Sequence, residues 1–154
     1  MAKLYLVRHA HAGVRGESEG PDTTRSLSER GWRQAMGLVD VIGDCGAKRL
    51  ISSPIRRCVQ TLQPLAAHLH AEVEMDKRLA EGSTFEAALE LLEELEGQVA
   101  VLCSHGDVIP DVLEALARRG MKLKDPPRWE KASTWALTRS GATFTKAKYL
   151  PPPT

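Results

Sequence analysis

Short apolar runs alternate along this chain with longer stretches of helical periodicity. Four runs, residues 4–7, 49–53, 72–75 and 99–103, have the length and composition of strands, and the last is the clearest buried strand. Polar residues follow the first, second and fourth runs directly. The pattern therefore predicts strands that carry polar side chains at their carboxyl ends.

The stretches between and after these runs have the spacing of amphipathic helices. The first starts at Ser-Leu-Ser-Glu, residues 26–29, which matches a capping box. Its apolar face is predicted to hold Trp32, Ala35, Met36, Val39 and Ile42. The other helical stretches cover residues 55–69, 85–95 and 107–117, and the last has Asp107 as its candidate cap. We expect each apolar face to pack on a sheet.

Two further features complete the predicted architecture. Pro64 lies inside the second helical stretch, so we expect a kink or a break near residues 60–63. Residues 134–137 and 144–149 resemble a hairpin around Ser140 and Gly141. Alternating strands and helices predict an α/β fold, a three-layer sandwich with a mostly parallel central sheet flanked by helices. Residues 1–150 form the single predicted domain, and residues 151–154 form a proline-rich tail.

Composition narrows the choice of partners. The 154 residues are 42% hydrophobic and 27% charged, with a formal net charge of +1, as expected for a folded globular domain. Such a balance gives no overall field for nucleic acid or an anionic membrane, and no apolar run is long enough to span a bilayer. The three cysteines are odd in number and widely spaced, which indicates a reducing compartment. We therefore expect a cytoplasmic protein without nucleic-acid or membrane partners, and nothing in the pattern specifies an oligomeric state.

The three polar clusters point to one site. They are Arg8-His9, the Ser-Ser-Pro-Ile-Arg-Arg sequence of residues 52–57, and Ser104-His105-Gly106. Ligands of open α/β sheets bind beyond the carboxyl ends of the strands, so we expect the clusters to converge there. Two arginines and two histidines form a cationic pocket suited to a phosphoryl dianion.

A histidine in such a pocket can act as a nucleophile. Neighbouring guanidinium groups disfavour the imidazolium form and keep the ring neutral near neutral pH, provided its other nitrogen donates to a fixed acceptor. The negative charge that develops on a transferring phosphoryl group is stabilised by cations already in position. His9 can be such a nucleophile, and Arg8, Arg57 and His105 can stabilise the developing charge.

The motif Leu6-Val7-Arg8-His9-Ala10 resembles the hallmark of the histidine phosphatase superfamily, which is phosphoglycerate mutase-like in fold. The sequences around Arg57 and around His105 are similar to its second and third blocks. The resemblance implies that His9 carries a phosphohistidine intermediate and that Arg8, Arg57, His105 and Gly106 bind the phosphoryl group. Glu81 is the implied proton donor, although it could instead cap the following helix.

The resemblance also suggests substrates. Ala10, where glycine commonly follows the Arg-His pair, and the compact size resemble the bacterial phosphohistidine phosphatase branch, which implies a phosphohistidine protein as substrate. The sequence after Arg57 is also similar to histidine phosphatase domains joined to Nudix hydrolases, which implies phosphorylated small molecules such as nucleotides; sugar phosphates are a further possibility. A third interpretation is a phosphoryl-binding protein without turnover, which the presence of both histidines and Arg57 disfavours.

Other residues near the clusters receive more ordinary interpretations. His11 is expected at the rim of the pocket, and Arg56 on a solvated helix face. Residues 13–26 read as a mobile surface loop that could act as a lid, and residues 121–132 as a second specificity loop. Cys58 and Cys103 read as buried, inert thiols. The spacing of the histidines does not suit a metal site, so no metal or other cofactor is expected.

Overall fold

The computed structural model describes residues 2–13 and 20–153. Its seven strands are β1 (Ala2–Arg8), β2 (Arg49–Ser52), β3 (Val73–Met75), β4 (Ala100–Ser104), β5 (Lys122–Leu123), β6 (Thr134–Ser140) and β7 (Thr143–Leu150). Its four α-helices are α1 (Glu29–Ile42), α2 (Arg56–Leu69), α3 (Phe85–Glu94) and α4 (Val108–Arg118). Short 3₁₀ turns cover Asp22–Thr24 and Lys77–Leu79.

The strands form one sheet in the order β3-β2-β4-β1-β6-β7-β5. The pairs β2–β3, β2–β4, β1–β4 and β5–β7 are parallel, while β6 is antiparallel to both β1 and β7. This mostly parallel sheet confirms the predicted α/β class, and the antiparallel pair β6–β7 confirms the predicted hairpin.

Helices cover both faces of the sheet. Successive side chains of a strand point to opposite faces, so β1 divides its apolar residues between two cores. Tyr5 and Val7 pack in a cluster with residues of α1 and α2 such as Leu38 and Leu62. Leu4 and Leu6 pack with α3 and α4 on the other face. Burial of both faces explains why the strands read as nearly continuous apolar runs.

The start of α1 differs from the prediction. Its cap is Ser28, whose side chain accepts a hydrogen bond from the backbone N–H of Gly31, so the capping box predicted at residues 26–29 is wrong. The Ser28 backbone N–H also donates to the carbonyl oxygen of His11 at 3.0 Å, which fixes where the helix begins. Met36, predicted for the buried face, is 55% exposed because the apolar stripe runs through Ala35 and Leu38 instead.

Helix α2 passes through Pro64 as one element, so the predicted break near residues 60–63 is wrong. Leu62 and Leu65 on either side of the proline are fully buried, and Pro64 itself is half-buried. Tertiary packing of an amphipathic face supplies most of a helix's stability in a folded protein, and here it outweighs the hydrogen bond that proline cannot donate.

The structure describes parts of the predicted lid and of the predicted tail. Residues 14–19 of the predicted loop 13–26 lie outside the described residues; on either side of them, Ala12 forms an antiparallel bridge with Leu27. In the tail, Pro153 packs on α1 so closely that a Cβ atom added at Gly37 would stand 2.5 Å from its ring. No helix among residues 2–13 and 20–153 has the length and apolar character required to span a bilayer.

Candidate active site

The three polar clusters meet in a cleft of about 490 Å³ at the carboxyl end of the sheet. The strand register explains the meeting, because Arg8 of β1 lies beside Ser104 of β4, and Ser52 of β2 lies beside Cys103. The residues that directly follow the ends of these strands are therefore neighbours. The cleft is lined by Arg8, His9, His11, Ala12, Gly13, Arg25, Arg57, Glu81, His105, Gly106, Asp107, Trp129 and Lys131.

His9 is held as a neutral imidazole. Its side chain is buried, and Nδ1 lies 2.9 Å from the carbonyl oxygen of Ala10. A carbonyl only accepts, so Nδ1 carries the proton and the lone pair is on Nε2. Burial, followed by the charges of His105, Arg57 and Arg8, lowers the pKa of His9 to about 3, although the bond to Ala10 opposes that shift. Burial thus contributes more than the guanidinium groups that the sequence analysis emphasised.

Three buried nitrogens around the cleft lack a hydrogen-bond partner within the described part of the chain. They are Nε of Arg8, Nε of Arg57 and Nδ1 of His105. Buried polar atoms in native proteins are nearly always hydrogen-bonded, so each exception requires a reason. Three unsatisfied nitrogens on residues that line one cleft suit an anion with several acceptor oxygens.

Arg8 reaches the cleft through a space that only glycine leaves open. A Cβ atom added at Gly106 would lie 2.9 Å from the guanidinium carbon of Arg8. The opposite side of the guanidinium donates from Nη1 to the carbonyl oxygen of Trp129 at 2.9 Å. Gly106 and Trp129 therefore fix the position of Arg8. The sequence analysis placed Gly106 in the phosphoryl site but did not predict this role for it, and it did not single out Trp129.

Arg57 is 1% exposed and sits between two carboxylates. Its Nη1 lies 3.2 Å from Oδ2 of Asp22 and donates to the Asp22 carbonyl oxygen at 3.1 Å, while its Nη2 lies 3.3 Å from Oε2 of Glu81. The side chains of Asp22 and Glu81 are 28% and 38% exposed, so both carboxylates are partly open to solvent. The cationic group is thus deep in the site and its anionic partners are near solvent.

His105 is positioned by a serine that the sequence analysis left unassigned. The hydroxyl of Ser53 accepts from the backbone N–H of Ile55 at 3.3 Å and lies 2.9 Å from Nε2 of His105. If that hydroxyl donates to Nε2, the proton of the ring lies on Nδ1, the buried nitrogen without a partner among the described residues. Cys58, predicted as an inert core thiol, is buried with its sulfur 3.5 Å from the same Nε2.

One hydroxyl joins the loop that carries His9 to the helix that carries Arg57. Thr61 accepts from the backbone N–H of Ala10 at 2.9 Å and donates to the carbonyl oxygen of Arg57 at 2.6 Å. The side chain of Ala10 is fully buried beside Leu27 and Ala132, which explains how a residue larger than glycine fits after the Arg-His pair. The loop after β1 is therefore bound to α2 on one side and packed on the other.

Glu81 is brought to the cleft by its flanking residues. The hydroxyl of Ser104 donates to the carbonyl oxygen of Leu79 at 2.6 Å, and the backbone N–H of Gly82 donates to Oδ2 of Asp107 at 2.8 Å. Asp107 also caps α4, as predicted, through its other oxygen. Both anchors belong to the segment around His105, so the position of Glu81 depends on that segment.

Sequence reasoning missed several residues that shape this cleft. Asp22 and Arg25 come from the loop predicted as a lid, and Lys131 comes from the predicted specificity loop. Their roles depend on how distant loops fold back onto the sheet, which strand-end patterns do not encode. His11 lies at the rim as predicted, with Nδ1 2.6 Å from the Ser28 hydroxyl, and Arg56 is exposed. Among the described residues, no group of three or more histidine, cysteine, aspartate or glutamate side chains is placed to hold a metal ion.

The fold and the converging Arg-His, Arg and His side chains define a phosphoryl-binding α/β protein. The chain belongs to the histidine phosphatase superfamily (branch 1), whose family model matches residues 4–85, so the predicted family is confirmed. It is 35% identical to an 8-oxo-(d)GTP phosphatase of Mycolicibacterium smegmatis over 155 aligned residues. That alignment covers 97% of this chain and 48% of the relative, so the chain spans about half of the relative's length.

Solved structures confirm the architecture. A protein histidine phosphatase complexed with tungstate superposes with a TM-score of 0.77 at 18% identity, covering 99% of this chain and 96% of that one. A mycobacterial glucosyl-3-phosphoglycerate phosphatase complexed with VO3 superposes with a TM-score of 0.75 at 18% identity, covering 97% of each chain. At this identity the likeness establishes the fold, which is phosphoglycerate mutase-like as predicted.

Proposed function

We propose that this protein is a phosphatase that works through a covalent phosphohistidine intermediate on His9. The carrying observation is the combination of a neutral, buried His9 with three unsatisfied buried nitrogens in the same cleft. The first supplies a lone pair at neutral pH, and the others match the oxygens of a phosphoryl group. Family membership supports the same chemistry.

The first step transfers the phosphoryl group to the protein. Nε2 of His9 attacks phosphorus while the bond to the leaving oxygen breaks, and Arg8, Arg57 and His105 stabilise the charge on the non-bridging oxygens. Glu81 donates a proton to the leaving oxygen. The carboxylate of Glu81 is near enough to a phosphoryl group held by Arg57 for that role, because its Oε2 lies 3.3 Å from Nη2 of Arg57.

The second step restores the enzyme. Water attacks the phosphohistidine, Glu81 accepts the water's proton, and the bond between phosphorus and Nε2 breaks to release inorganic phosphate. Asp107 is a positioning residue for this exchange, because it binds the backbone next to Glu81. Arginines supply the positive charge, so the mechanism uses neither a metal ion nor another cofactor.

Two substrate classes suit this site. A phosphorylated small molecule of the nucleotide type is favoured by the similarity to the 8-oxo-(d)GTP phosphatase, which extends over 97% of this chain. A phosphohistidine protein is the second candidate, and the superposition on a protein histidine phosphatase supplies only a fold argument for it. We place the reaction in the cytoplasm, because the three cysteines are free thiols and suit a reducing compartment.

Trapping the intermediate tests the proposal. Quenching during turnover of a labelled phosphomonoester should leave phosphate on the peptide that contains His9, and the label should survive alkali and be lost in mild acid. His9→Ala should remove the label and lower kcat by at least about a thousandfold. His105→Ala should slow turnover while the label still maps to His9. A label on His105, or near-normal turnover by His9→Ala, would contradict these roles.

A further inference from the structure

A second cleft adjoins the phosphoryl pocket. Its volume is about 780 Å³, and it lies between α1, residues 130–131 and the tail at Pro152 and Pro153. His11 and Lys131 line both clefts, so the two spaces meet at these side chains. We call the second space the α1 groove, and Arg30, Arg33 and Gln34 supply its helical wall.

The cations of the α1 groove are poorly neutralised. Within the described residues, neither Arg30 nor Lys131 forms an ion pair, and Arg33 has only an exposed contact to Glu29 at 3.3 Å. Glu130, the one carboxylate among the described residues that line the groove, accepts from the hydroxyl of Tyr149 at 3.0 Å and lies 3.9 Å from a guanidinium nitrogen of Arg128. The groove therefore presents unpaired positive charge to solvent.

Lys131 connects this charge with the phosphoryl pocket. Burial, and then the charges of Arg8, Arg25, Arg57 and Arg30, lower the pKa of Lys131. Crowded cations that lower each other's proton affinity repel one another, and an anion placed among them relieves the repulsion. Arg8 and Arg57 belong to the phosphoryl pocket and Arg30 to the α1 groove, so Lys131 lies within the electrostatic reach of both.

We infer that the α1 groove binds a second phosphate carried on the leaving group of the substrate. Given the proposed phosphatase function, on which this inference rests, the natural ligands are nucleoside diphosphates and triphosphates whose terminal phosphate enters the pocket of His9. The leaving group then extends past His11 and Lys131 toward Arg30. A single phosphate would use the pocket and leave the groove unfilled.

Substrate preference in matched variants tests the groove. Arg30→Gln and Lys131→Gln should each lower the ratio of kcat/KM for GTP to kcat/KM for p-nitrophenyl phosphate by about tenfold, as expected for one lost charge-assisted hydrogen bond. Arg30→Lys should recover most of the ratio. Arg119→Gln removes the same charge from the exposed end of α4 on the opposite face of the sheet, and should leave the ratio unchanged.

Binding without turnover separates this inference from the proposed function. Calorimetry with inorganic tripolyphosphate and with orthophosphate should show tighter binding of tripolyphosphate, and Arg30→Gln should remove most of that difference. If phosphohistidine forms on His9 but Arg30→Gln changes neither the ratio nor tripolyphosphate binding, the groove inference alone is wrong. If no phosphomonoester is hydrolysed, the proposed function fails, while tripolyphosphate binding still decides the groove.

Two further substrates identify what carries the second phosphate. Sensitivity of both GTP and fructose 1,6-bisphosphate to Arg30→Gln supports a general second-phosphate site, and sensitivity of GTP alone supports a nucleotide site. If Arg30→Gln slows release of phosphate from a phosphohistidine peptide and leaves GTP unaffected, the groove contacts a protein substrate and the inference is wrong.

Discussion

The two ends of the sheet each bury an arginine, and the two arginines differ in their surroundings. Arg57 lies at the carboxyl end and Arg139 at the other end, beside the start of β1, and each is 1% exposed. Arg139 donates to the carbonyl oxygens of Leu92 at 2.7 Å and Gly141 at 2.9 Å, and its guanidinium carbon lies 4.3 Å from the centre of the Phe144 ring. Its hydrogen-bond partners are backbone carbonyl groups, and its guanidinium group packs on a side chain of the core.

Arg57 instead pairs with two carboxylates that are partly open to solvent, since the side chains of Asp22 and Glu81 are 28% and 38% exposed. Each arginine leaves one buried nitrogen without a partner among the described residues, so a single unsatisfied nitrogen does not identify a functional site. The distinguishing feature of the carboxyl end is that Arg8 and His105 leave nitrogens unsatisfied around the same cleft. Function is indicated by this convergence and by the partly exposed partners of Arg57, more than by burial.

Two single variants, Arg57→Gln and Arg139→Gln, should differ most in activity and in stability. Arg57→Gln should lower kcat/KM by about a thousandfold, the size of effect that an arginine has on phosphoryl transfer. Its free energy of unfolding should change by less than about 1 kcal/mol, because the carboxylates left behind are accessible to water. Arg139→Gln should keep kcat/KM within about twofold and lower the free energy of unfolding by about 2–4 kcal/mol, because buried carbonyl groups lose their donors.

Kinetics with p-nitrophenyl phosphate and chemical denaturation of the same two variants provide the measurement. A large loss of activity in Arg139→Gln at full stability would mean that the two ends of the sheet are not functionally separate.

Glu81→Gln sharpens the comparison within the carboxyl end, since it removes the proposed proton donor and keeps the shape of the side chain. Hydrolysis of alkyl phosphates, whose leaving oxygen needs a proton, should slow by about a hundredfold. Nitrophenyl phosphate should slow much less, because its leaving oxygen is already a good anion. Glu86→Gln serves as the matched control, since it makes the same change on an exposed side chain of α3 outside the cleft. Equal slowing of both substrates by Glu81→Gln would assign the acid role elsewhere.

The carboxyl end should also make stability depend on pH. His9 titrates with a pKa of about 3 in the folded protein, and an unfolded histidine titrates near 6.5, so between these values the unfolded chain binds more protons. The free energy of unfolding must therefore fall as the pH falls through this window, with a His9 contribution that approaches about 1.4 kcal/mol per pH unit.

Denaturant titrations of the wild type and of His9→Asn at pH 6.5, 5.5 and 4.5 measure this effect. The variant should lack the His9 contribution and retain those of all other groups. Identical pH slopes in the two proteins would show that His9 is not held neutral by its environment.

Chelation should have the smallest effect. Because arginines provide the positive charge at the carboxyl end, EDTA should leave kcat/KM unchanged in the wild type. The variant Arg57→Gln should not be rescued by Mg²⁺ or Zn²⁺. A loss of activity on chelation that one divalent ion reverses would contradict the proposed mechanism.

The sequence predicted the site best where the topology of the sheet brings together residues that lie at the ends of strands. Parallel strands bring their carboxyl ends together, so the meeting of His9, Arg57 and His105 followed from polar clusters that begin at the ends of strands. The contacts of Asp22, Trp129 and Lys131 could not be foreseen, because they depend on loops folding back over that edge. Such long-range contacts can be identified only after the fold is known.

Local signals also failed where packing overrode them. Ser26 and Ser28 both precede an amphipathic stripe, and the choice of Ser28 as cap depends on the carbonyl of His11, far from the helix in sequence. Likewise, Pro64 breaks a helix by its local chemistry, yet buried Leu62 and Leu65 hold α2 together. In both cases a tertiary contact decided the outcome.

The carboxylates beside Arg57 imply a selectivity that goes beyond catalysis. In the resting protein this arginine is already matched with Asp22 and Glu81, so an incoming anion competes with internal anions that are tethered at the site. A singly charged guest, such as a sulfate monoester or a phosphodiester, offers no more charge than either carboxylate it must displace. A phosphomonoester dianion offers twice as much. The two acidic side chains beside Arg57 should therefore favour guests with two negative charges over guests with one.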